Sequence, residues 1–421
     1  MKVLWCTNII LPDAAKRLGI KPLPYGGWMV ALAKDISRCD NIRLAIATVY
    51  DGNKILSFEE NNIKYYLLPG GVKAKLRYEK KLEQRWAEVI SDFSPDIIHI
   101  HGTEFAHSLA LMKVCKEIPV VVSIQGLLTV YSRVYYGGME IKDIILNRTL
   151  RDNLKLDGLI EQKYKFEKRA IYERELLRSV HHVIGRTTWD YANVKAINPN
   201  VKYHFCNESL RDEFYNVKWD ISFIKRHTIF TTQAVYPIKG VHFLLEAVAL
   251  LKRDYPDVRV YITGPNIIDR SSIKSRLRLT GYGKYLLKLI RHYNLESNVK
   301  FMGEVDAGEV ASYLAKAHVF VLPSAIENSP NSLCEAQLVG TPCVASYVGG
   351  VPDMVKHGVN GLLYNYSEPA ILAEMISRIF NSDDLALSLS TNAIKTASQR
   401  NNRQKNLLTM IQIYYEIGGK N

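Results

Sequence analysis

Short apolar stretches alternate with longer segments whose apolar residues recur every three or four positions along almost the whole chain. The short stretches predict strands buried in a sheet, and the longer periodic segments predict helices packed against it. The predicted strands lie at residues 3–6, 43–49, 63–68, 96–101, 120–124, 182–185, 228–232, 258–263, 299–302, 319–322 and 343–346. The predicted helices lie at residues 28–38, 78–93, 105–116, 159–177 and 406–415. Because strands that alternate with helices form parallel sheets covered on both faces, the pattern predicts an α/β protein.

The predicted strands fall into two groups, which the stretch between Cys206 and His227 separates. A chain of 421 residues suits two domains of ordinary size, each with its own core. We therefore predict two doubly wound domains, at 1–208 and 209–400, and a closing helix at 401–421. The carboxyl ends of the strands in such sheets are where ligands bind.

Two carboxylates, Glu327 and Glu335, flank the start of a predicted helix directly after a strand of the second domain. Ser329 is the predicted N-cap and Pro330 the first helical residue. A helix start at this edge of a sheet offers free backbone N–H groups, which commonly hold phosphate. The stretch therefore predicts a ligand with an anionic centre and a hydroxyl-bearing sugar on each side. Two glutamates at this spacing are, on their own, equally typical of a solvated helix face.

This stretch resembles the Glu-x7-Glu signature of the retaining glycosyltransferases of family 4, among the group 1 glycosyltransferases of surface polysaccharide assembly. Companion motifs follow the order of that family: Lys239-Gly240, Gly264-Pro265, residues 301–303, 349–353 and 358–361. The resemblance implies the GT-B fold, in which two Rossmann-like domains face a central cleft and the last helix crosses back to the first domain. It also implies that Glu327 contacts the donor sugar and that Glu335 holds the ribose hydroxyls.

Lys239 follows the first strand of the second domain, where a lysine could neutralise charge on the donor diphosphate. The alternative is a solvent-exposed lysine at a helix start. The family usually carries an arginine five or six residues earlier, where this chain has Gln233 and Ala234. Gln233 would then donate one neutral hydrogen bond, or another cation replaces the arginine. The resemblance adds further donor-binding candidates: Gly26, Gly27, Gly264, Gly303, Ser329, Asn331, Ser332 and Leu333.

In the first domain, the loop at residues 24–28 contains the glycine pair Gly26-Gly27, between the first strand and the first helix. Paired glycines allow close approach of a ligand to the backbone, although most such pairs only mark turns. Trp28, next in the chain, is a candidate acceptor-binding residue. His99 and His101 lie on one face of a strand, so one of them is expected to be a packed structural residue and His101 is the catalytic candidate. Since no carboxylate or cysteine completes a ligand set nearby, we predict no metal site there.

Gln125 stands where many relatives carry a histidine close to the donor sugar. Glutamine can position a sugar but cannot act as an acid or base near neutral pH. The resemblance therefore implies a front-face mechanism, in which the leaving phosphate oxygen takes the acceptor proton. Arg186 follows the last strand of the first domain and would hold an anionic acceptor or form an interdomain salt bridge.

The composition, 47% hydrophobic and 23% charged, is typical of a soluble globular enzyme. No apolar run approaches the length of a membrane span, and the N-terminal residues are interpreted as a strand, not a signal peptide. The six cysteines contain no C-x-x-C pair, which indicates a reducing compartment without disulfides or structural zinc. We therefore predict a cytoplasmic enzyme that needs no metal or other cofactor.

The formal charge of +13 is uneven, with 31 Lys/Arg against 22 Asp/Glu in residues 1–205 and 24 against 20 in the rest. Such an excess indicates an anionic partner, either phosphate groups or acidic lipid headgroups. Nucleic acid is disfavoured because no aromatic-interleaved binding module is present. Residues 131–168 are long, basic and rich in tyrosine, and residues 274–284 form a second basic patch. We expect weak peripheral association with the acidic inner face of a membrane.

These observations lead to the hypothesis of a retaining, metal-independent hexosyltransferase in surface polysaccharide biosynthesis. It would transfer a sugar from a nucleoside-diphosphate sugar to a lipid-linked saccharide acceptor, with the sugar, base and linkage open. Two alternatives remain: a nucleotide-sugar 2-epimerase of the same fold, and a non-catalytic nucleotide-sugar-binding protein. An epimerase would change the donor without any acceptor, whereas a transferase would not.

Overall fold

The computed structural model describes residues 1–22 and 26–419, which form two compact units. The first unit comprises Met1–Ser132, Lys165–Ser209 and the residues from Asn401 onward. The second comprises Arg133–Tyr164 and Leu210–Arg400. Residues 133–164 thus pack with the second unit, although the predicted boundary placed them in the first domain.

The first unit is built on an eight-stranded sheet with the order β3-β4-β2-β1-β5-β6-β7-β8. Its strands are β1 (Lys2–Thr7), β2 (Arg43–Tyr50), β3 (Leu56–Glu60), β4 (Ile63–Pro69), β5 (Ile97–His101), β6 (Val120–Ser123), β7 (His182–Gly185) and β8 (Lys202–Phe205). All neighbouring strands are parallel except β3, which pairs antiparallel with β4. The central β1 is buried on both faces because helices cover both sides of a parallel sheet.

The second unit is built on a six-stranded, fully parallel sheet with the order β11-β10-β9-β12-β13-β14. Its strands are β9 (Lys225–Thr232), β10 (Arg259–Thr263), β11 (Val299–Gly303), β12 (Ala317–Leu322), β13 (Cys343–Ser346) and β14 (Leu362–Tyr364). The predicted α/β class and parallel sheets are confirmed. Three strands escaped prediction, because β14 is very short and β3 and β8 carry exposed polar residues.

Nineteen α-helices connect these strands in the described part of the chain. They are α1 (Pro12–Arg17), α2 (Gly27–Ile36), α3 (Gly71–Leu76), α4 (Lys81–Phe93), α5 (His107–Met112), α6 (Leu128–Tyr131), α7 (Ile141–Asn147), α8 (Leu150–Lys155), α9 (Leu159–Ser179), α10 (Thr188–Ile197), α11 (Glu213–Asn216), α12 (Val241–Leu251), α13 (Ile273–Arg278), α14 (Gly281–His292), α15 (Ala307–Lys316), α16 (Asn331–Val339), α17 (Pro369–Phe380), α18 (Asp383–Arg400) and α19 (Arg403–Gly418). Short 3₁₀ helices occur at Ser132–Val134, Pro237–Lys239 and Val351–Asp353.

Two hydrogen bonds illustrate how segments distant in sequence join each unit. In the first unit, Trp5 on β1 donates to the hydroxyl of Tyr414 on α19 at 2.9 Å, so the closing helix packs on this sheet. In the second unit, the carbonyl of Gly137 lies 2.8 Å from His242 on α12, which anchors the segment that precedes α7. Met139 and Ile144 of that segment are buried in the core of the second unit.

Candidate functional site

The stretch with the two glutamates lies at the carboxyl end of the buried strand β12, in the second unit. Helix α16 begins at Asn331, one residue later than predicted, and its N-cap is Pro330. Pro330 has an extended ψ of 119°, which excludes it from the helix, and the predicted cap Ser329 lies one residue earlier. No side chain caps α16. Its first residues, Asn331, Ser332 and Leu333, occupy the helix start that the sequence predicted as a phosphate site.

Glu327 and Lys239 form an ion pair, with Lys239 Nζ 2.6 Å from Glu327 Oε1. Ser324 donates a further hydrogen bond from its hydroxyl to the same carboxylate oxygen at 2.8 Å. The carboxylate of Glu327 is buried, and Lys239 is about a quarter exposed. Two oppositely charged groups from different loops are therefore held together at the ends of β9 and β12.

Glycines bring the loops around Glu327 into close contact. A Cβ on Gly349, which has a φ of +52°, would lie 1.9 Å from the carbonyl oxygen of Glu327. The neighbouring Gly350 donates its N–H to that same oxygen at 3.0 Å. A Cβ on Gly240 would lie 1.6 Å from the carbonyl of Pro323. Only glycine fits at these two positions, because any side chain would clash with the backbone of the loop that carries Glu327.

Glu335 on α16 is buried beside Arg211, whose Nη2 lies 3.1 Å from Glu335 Oε1. Burial raises the pKa of Glu335 to about 7, although Arg211 opposes that rise. Arg211 was not among the predicted site residues, because nothing local to residue 211 indicates a contact with a helix more than a hundred positions later. It places a cation beside Glu335, not at the position of the arginine that the family usually carries.

Gln233, Gly264 and Gly303 lie at the carboxyl ends of three neighbouring strands and come together at one edge of the second sheet. The N–H of Gln233 donates to Thr263 at 2.8 Å, and that of Gly264 donates to Gly303 at 2.9 Å. Gly264 has a φ of +102°, a backbone conformation that favours glycine at this strand end. The three residues therefore share one neighbourhood, as adjacent parallel strands require.

In the first unit, His99 is the structural histidine of the pair on β5. Its ring nitrogens lie 2.6 Å from the hydroxyls of Tyr414 and Ser123. His101 packs on His99 with ring centroids 3.8 Å apart, and on Trp28 at 5.5 Å. Its side chain is buried, and neither ring nitrogen has a hydrogen-bond partner in the described part of the chain. Burial lowers the pKa of His101 well below its ordinary value, so the ring is uncharged at neutral pH.

Gln125 and Arg186 both contact Glu208, which the sequence did not single out. Gln125 Nε2 donates to Glu208 Oε1 at 2.8 Å, and Arg186 forms a buried ion pair with the same oxygen. Arg186 also donates to the carbonyl of Ile124 at 2.9 Å. This ion pair of Arg186 is made within the first unit, so it is not the interdomain salt bridge considered above. Trp28, Arg186 and Glu208 line a cavity of ≈ 20 Å³.

The glycine pair lies at the start of α2, where Gly26 is the N-cap with a φ of +80° and Gly27 is the first helical residue. A Cβ on Gly26 would lie 2.2 Å from Ile9 Cδ1, which is the end of a flexible side chain. Pro24 and Tyr25, which belong to the same predicted loop, lie outside the described residues.

Another carboxylic acid follows β5 in the first unit. Glu104 accepts a hydrogen bond from Asn8 at 2.8 Å, and burial raises its pKa to about 7. Glu104 was not among the predicted site residues, although it lies only three residues after His101. Its raised pKa, which comes from burial and is visible only in the fold, is of a kind common at functional sites.

Neither a metal centre nor a membrane span is present in the described residues. Residues 1–22 and 26–419 contain no group of three or more His, Cys, Asp or Glu side chains that could hold a metal ion. No helix in those ranges combines the length and hydropathy needed to cross a bilayer.

Residues 220–396 match the family of glycosyl transferases group 1, which confirms the predicted resemblance to group 1 glycosyltransferases for this part of the chain. The D-inositol 3-phosphate glycosyltransferase of Corynebacterium urealyticum is 30% identical over 168 residues, 38% of this chain and 37% of that protein. The chain spans less than two fifths of the length of the first curated relatives that it matches. The matched region includes Lys239, Glu327 and Glu335.

The fold matches solved structures over the whole chain. Sucrose-phosphate synthase from Thermosynechococcus elongatus superposes with a TM-score of 0.72 at 16% identity, covering 100% of both chains. Anabaena HepE in complex with UDP-glucose superposes with a TM-score of 0.66 at 17% identity, covering 99% of this chain and 100% of that one. The predicted GT-B fold is therefore confirmed.

Proposed function

We propose that this protein is a retaining glycosyltransferase that transfers a sugar from a nucleoside-diphosphate sugar to a saccharide acceptor. The observation that carries the proposal is the pair Glu327–Lys239, at 2.6 Å, together with the buried Glu335 in the segment that matches the group 1 family. We further propose that the acceptor is lipid-linked, that the pathway builds a surface polysaccharide, and that the enzyme works in the cytoplasm at the inner membrane face. It would need no metal or other cofactor.

The second unit binds the donor in this proposal. Lys239 and the start of α16 neutralise the diphosphate, Glu327 accepts hydroxyl hydrogen bonds from the sugar, and Glu335 accepts those of the ribose. HepE, which shares the fold, was crystallised with UDP-glucose, and this supports a nucleotide sugar as the donor. Arg211 would keep Glu335 ionised when the ribose binds, because a neighbouring cation favours the charged carboxylate.

The acceptor binds to the first unit, with Trp28 and Arg186 as contact residues. Glutamine at position 125 cannot act as a base, and the lowered pKa of the buried His101 makes its ring a weak base. In this proposal neither residue takes the proton of the attacking hydroxyl. In the front-face mechanism, the bond from the anomeric carbon to the diphosphate oxygen breaks as the acceptor oxygen approaches on the same face. The acceptor proton passes to the departing phosphate oxygen, so the products are a nucleoside diphosphate and a glycoside of retained configuration.

A two-part experiment tests this proposal. Purified protein is first melted with a panel of UDP- and GDP-sugars, because a ligand of the folded state raises the melting temperature. The stabilising donor is then incubated with and without saccharide acceptors, and proton NMR identifies the product anomer. A retained product that needs acceptor supports the proposal, and an inverted product refutes it. Conversion of the donor sugar without acceptor would indicate a 2-epimerase, and stabilisation without turnover would indicate a binding protein.

Glu335→Ala is the matched probe for the binding arm, with Glu374→Ala as its control. Glu374 is an exposed residue of α17 in the same unit. We expect Glu335→Ala to weaken nucleoside-diphosphate binding by about 1.5–3 kcal/mol in calorimetry, because a charge-assisted hydrogen bond is lost. Unchanged affinity would refute the ribose role of Glu335.

A further inference from the structure

Two short helices of the second unit each carry a pair of apolar side chains that point away from the core. On α8, Leu150 and Leu154 are 81% and 86% exposed and stand four positions apart, on one face. On α7, Ile141 and Ile145 have the same spacing and are both more than half exposed. Large apolar residues scattered singly on a surface are ordinary, whereas paired rows on adjacent helices mark an interaction surface.

The buried faces of these helices explain the orientation. Helix α7 buries Ile144 and Asn147, and α8 buries the carboxylate of Asp152. Asp152 accepts hydrogen bonds from the N–H groups of Thr149, at 3.1 Å, and of Gly281, at 2.8 Å. Because polar groups anchor the inner face of α8, its leucines are left to the outside.

A third helix, α13, also exposes an apolar pair. It buries none of its residues, and its apolar pair, Ile273 and Leu277, is 77% and 71% exposed. Helix α13 ends shortly before Gly281, whose N–H is bonded to Asp152 on α8. The apolar side chains of all three helices are therefore carried by one part of the second unit. We call Ile141, Ile145, Leu150, Leu154, Ile273 and Leu277 the outer apolar surface.

Positive charge accompanies this surface. Residues 270–284 contain five basic residues, Arg270, Lys274, Arg276, Arg278 and Lys284, and no acidic residue, for a net charge of +5. Lys155 on α8 is exposed beside Leu154. Arg151 contributes little, because it pairs with Asp152 and Asp157 at 3.0 Å each.

We propose that the outer apolar surface enters the headgroup region of a bilayer that contains anionic lipid. Protruding leucine and isoleucine side chains reach the acyl boundary, and the basic residues of 270–284 meet lipid phosphates, as on interfacial helices in general. The complementary charge favours an anionic bilayer over a second copy of this chain, which would oppose +5 to +5. This inference rests on the membrane association proposed above and deepens it: it assigns the contact to six apolar side chains of the second unit, within residues 141–154 and 273–277.

The test is flotation of the full chain with vesicles of phosphatidylcholine, with and without 30% phosphatidylglycerol. Three variants are compared: Leu150→Ser/Leu154→Ser, Lys274→Gln/Arg276→Gln/Arg278→Gln, and Ile371→Ser/Leu387→Ser. The last pair are exposed apolar residues on α17 and α18 of the same unit and serve as the matched control. We expect wild type and control to bind anionic vesicles, and the leucine variant to bind at least about tenfold more weakly because two inserted side chains are lost. The arginine and lysine variant should lose its preference for anionic vesicles, and the salt dependence of binding should fall with it.

Three outcomes would overturn the inference. One is equal binding of wild type to neutral and anionic vesicles, and another is binding that the leucine variant retains. The third is a dimer in sedimentation velocity that only the leucine variant loses, which would assign the surface to a second copy of the chain. Without vesicles, we expect wild type and all three variants to share the same melting temperature and the same rise in that temperature when nucleotide sugar is added. If wild type binds no nucleotide sugar but still binds anionic vesicles, the proposed function is refuted and the membrane inference is not.

Discussion

Replacement of Glu335 with glutamine should stabilise the protein at alkaline pH while it weakens binding of the nucleotide. Glu335 is buried, and burial raises its pKa from the ordinary 4.5 to about 7 despite Arg211. Below pH 4.5 the carboxyl group is protonated in the folded and unfolded chain alike. As the pH rises from there towards 7, the unfolded chain ionises first, so the folded state progressively loses relative stability.

The size of this effect follows from the two pKa values. A rise from 4.5 to about 7, at about 1.36 kcal/mol for each pH unit, corresponds to roughly 3 kcal/mol. Glutamine has nearly the same shape and does not ionise, so Glu335→Gln avoids this cost. Arg211 is left without a carboxylate, but its side chain is about a quarter exposed and remains hydrated. We expect the variant to match wild type near pH 4 and to exceed it at pH 8.

Calorimetric melting at pH 4.5, 6 and 8 measures the difference, with Glu374→Gln as the exposed control. At about 2–4 °C for each kcal/mol in a unit of this size, the second unit of Glu335→Gln should melt several degrees higher than wild type at pH 8. If the difference in melting temperature between Glu335→Gln and wild type is the same at all three pH values, the raised pKa of Glu335 is refuted.

The affinity for the nucleoside diphosphate should depend on pH in the opposite direction to stability. If the ribose hydroxyls need the ionised carboxylate, wild-type affinity should fall about tenfold between pH 8 and pH 6 as Glu335 takes up a proton. The phosphate of the ligand titrates in the same range, so Glu335→Gln is the internal control for its contribution. Parallel pH profiles for wild type and variant would mean that Glu335 does not hold the ribose.

Lys239→Ala should lower turnover more than donor affinity, because the charge that it faces grows as the glycosidic bond breaks; steady-state kinetics that show only a raised KM would contradict this. Gly349→Ala should lower the melting temperature and the donor affinity together, because its Cβ would lie 1.9 Å from the Glu327 carbonyl oxygen at a φ of +52°. Gly358→Ala is the control for backbone strain alone, because Gly358 also has a positive φ but nothing lies within 4 Å of the added Cβ. Glu327→Gln should reduce kcat by about 10²–10³, the usual loss when one electrostatic stabiliser is removed, and full turnover of this variant would exclude Glu327 from the mechanism. Gln125→His should leave activity within about tenfold of wild type, because the proposed mechanism uses no protein base.

The parts of the fold that the sequence predicted are those set by local pattern. Eleven predicted strands correspond to observed ones, because a buried parallel strand is a continuous apolar run in the sequence. The start of α16 was displaced by one residue, since Pro330 adopts an extended ψ and serves as N-cap. Residues 133–164 were assigned to the wrong unit because helical periodicity shows that a helix has a buried face, not which core receives it.

The candidate site divides in the same way. Lys239 and Glu327 each follow a recognisable strand, so their positions could be predicted and their ion pair is a consequence of adjacent strands. Arg211 and Glu208 could not be predicted, because each lies in the stretch that follows the last strand of the first sheet and acts on a partner 124 or 83 positions away. Their charge was visible in the sequence, but its partner is determined only by packing.

Two buried carboxyl groups with a pKa of about 7 give the proposed mechanism its last test. Glu335 lies in the second unit and Glu104 in the first, near the carboxyl end of β5. The front-face mechanism needs no protein base, so the titration of Glu335 should enter only through donor binding. We therefore expect kcat/KM for the donor to fall as the pH drops through 7, while kcat at saturating donor stays nearly constant.

Glu104→Gln distinguishes this mechanism from one with a base in the first unit. The glutamine can still accept the hydrogen bond from Asn8, so the loop after β5 should keep its geometry. If no base is used, Glu104→Gln should leave kcat and its pH profile within about threefold of wild type. If Glu104 takes the acceptor proton, kcat of the wild type should fall below pH 7 and Glu104→Gln should lose about 10²–10⁴ of it, the usual contribution of general base catalysis. That result would mean that Glu104 in the first unit, and not the leaving phosphate oxygen, accepts the acceptor proton. The proposed roles of Lys239 and Glu327 would not change.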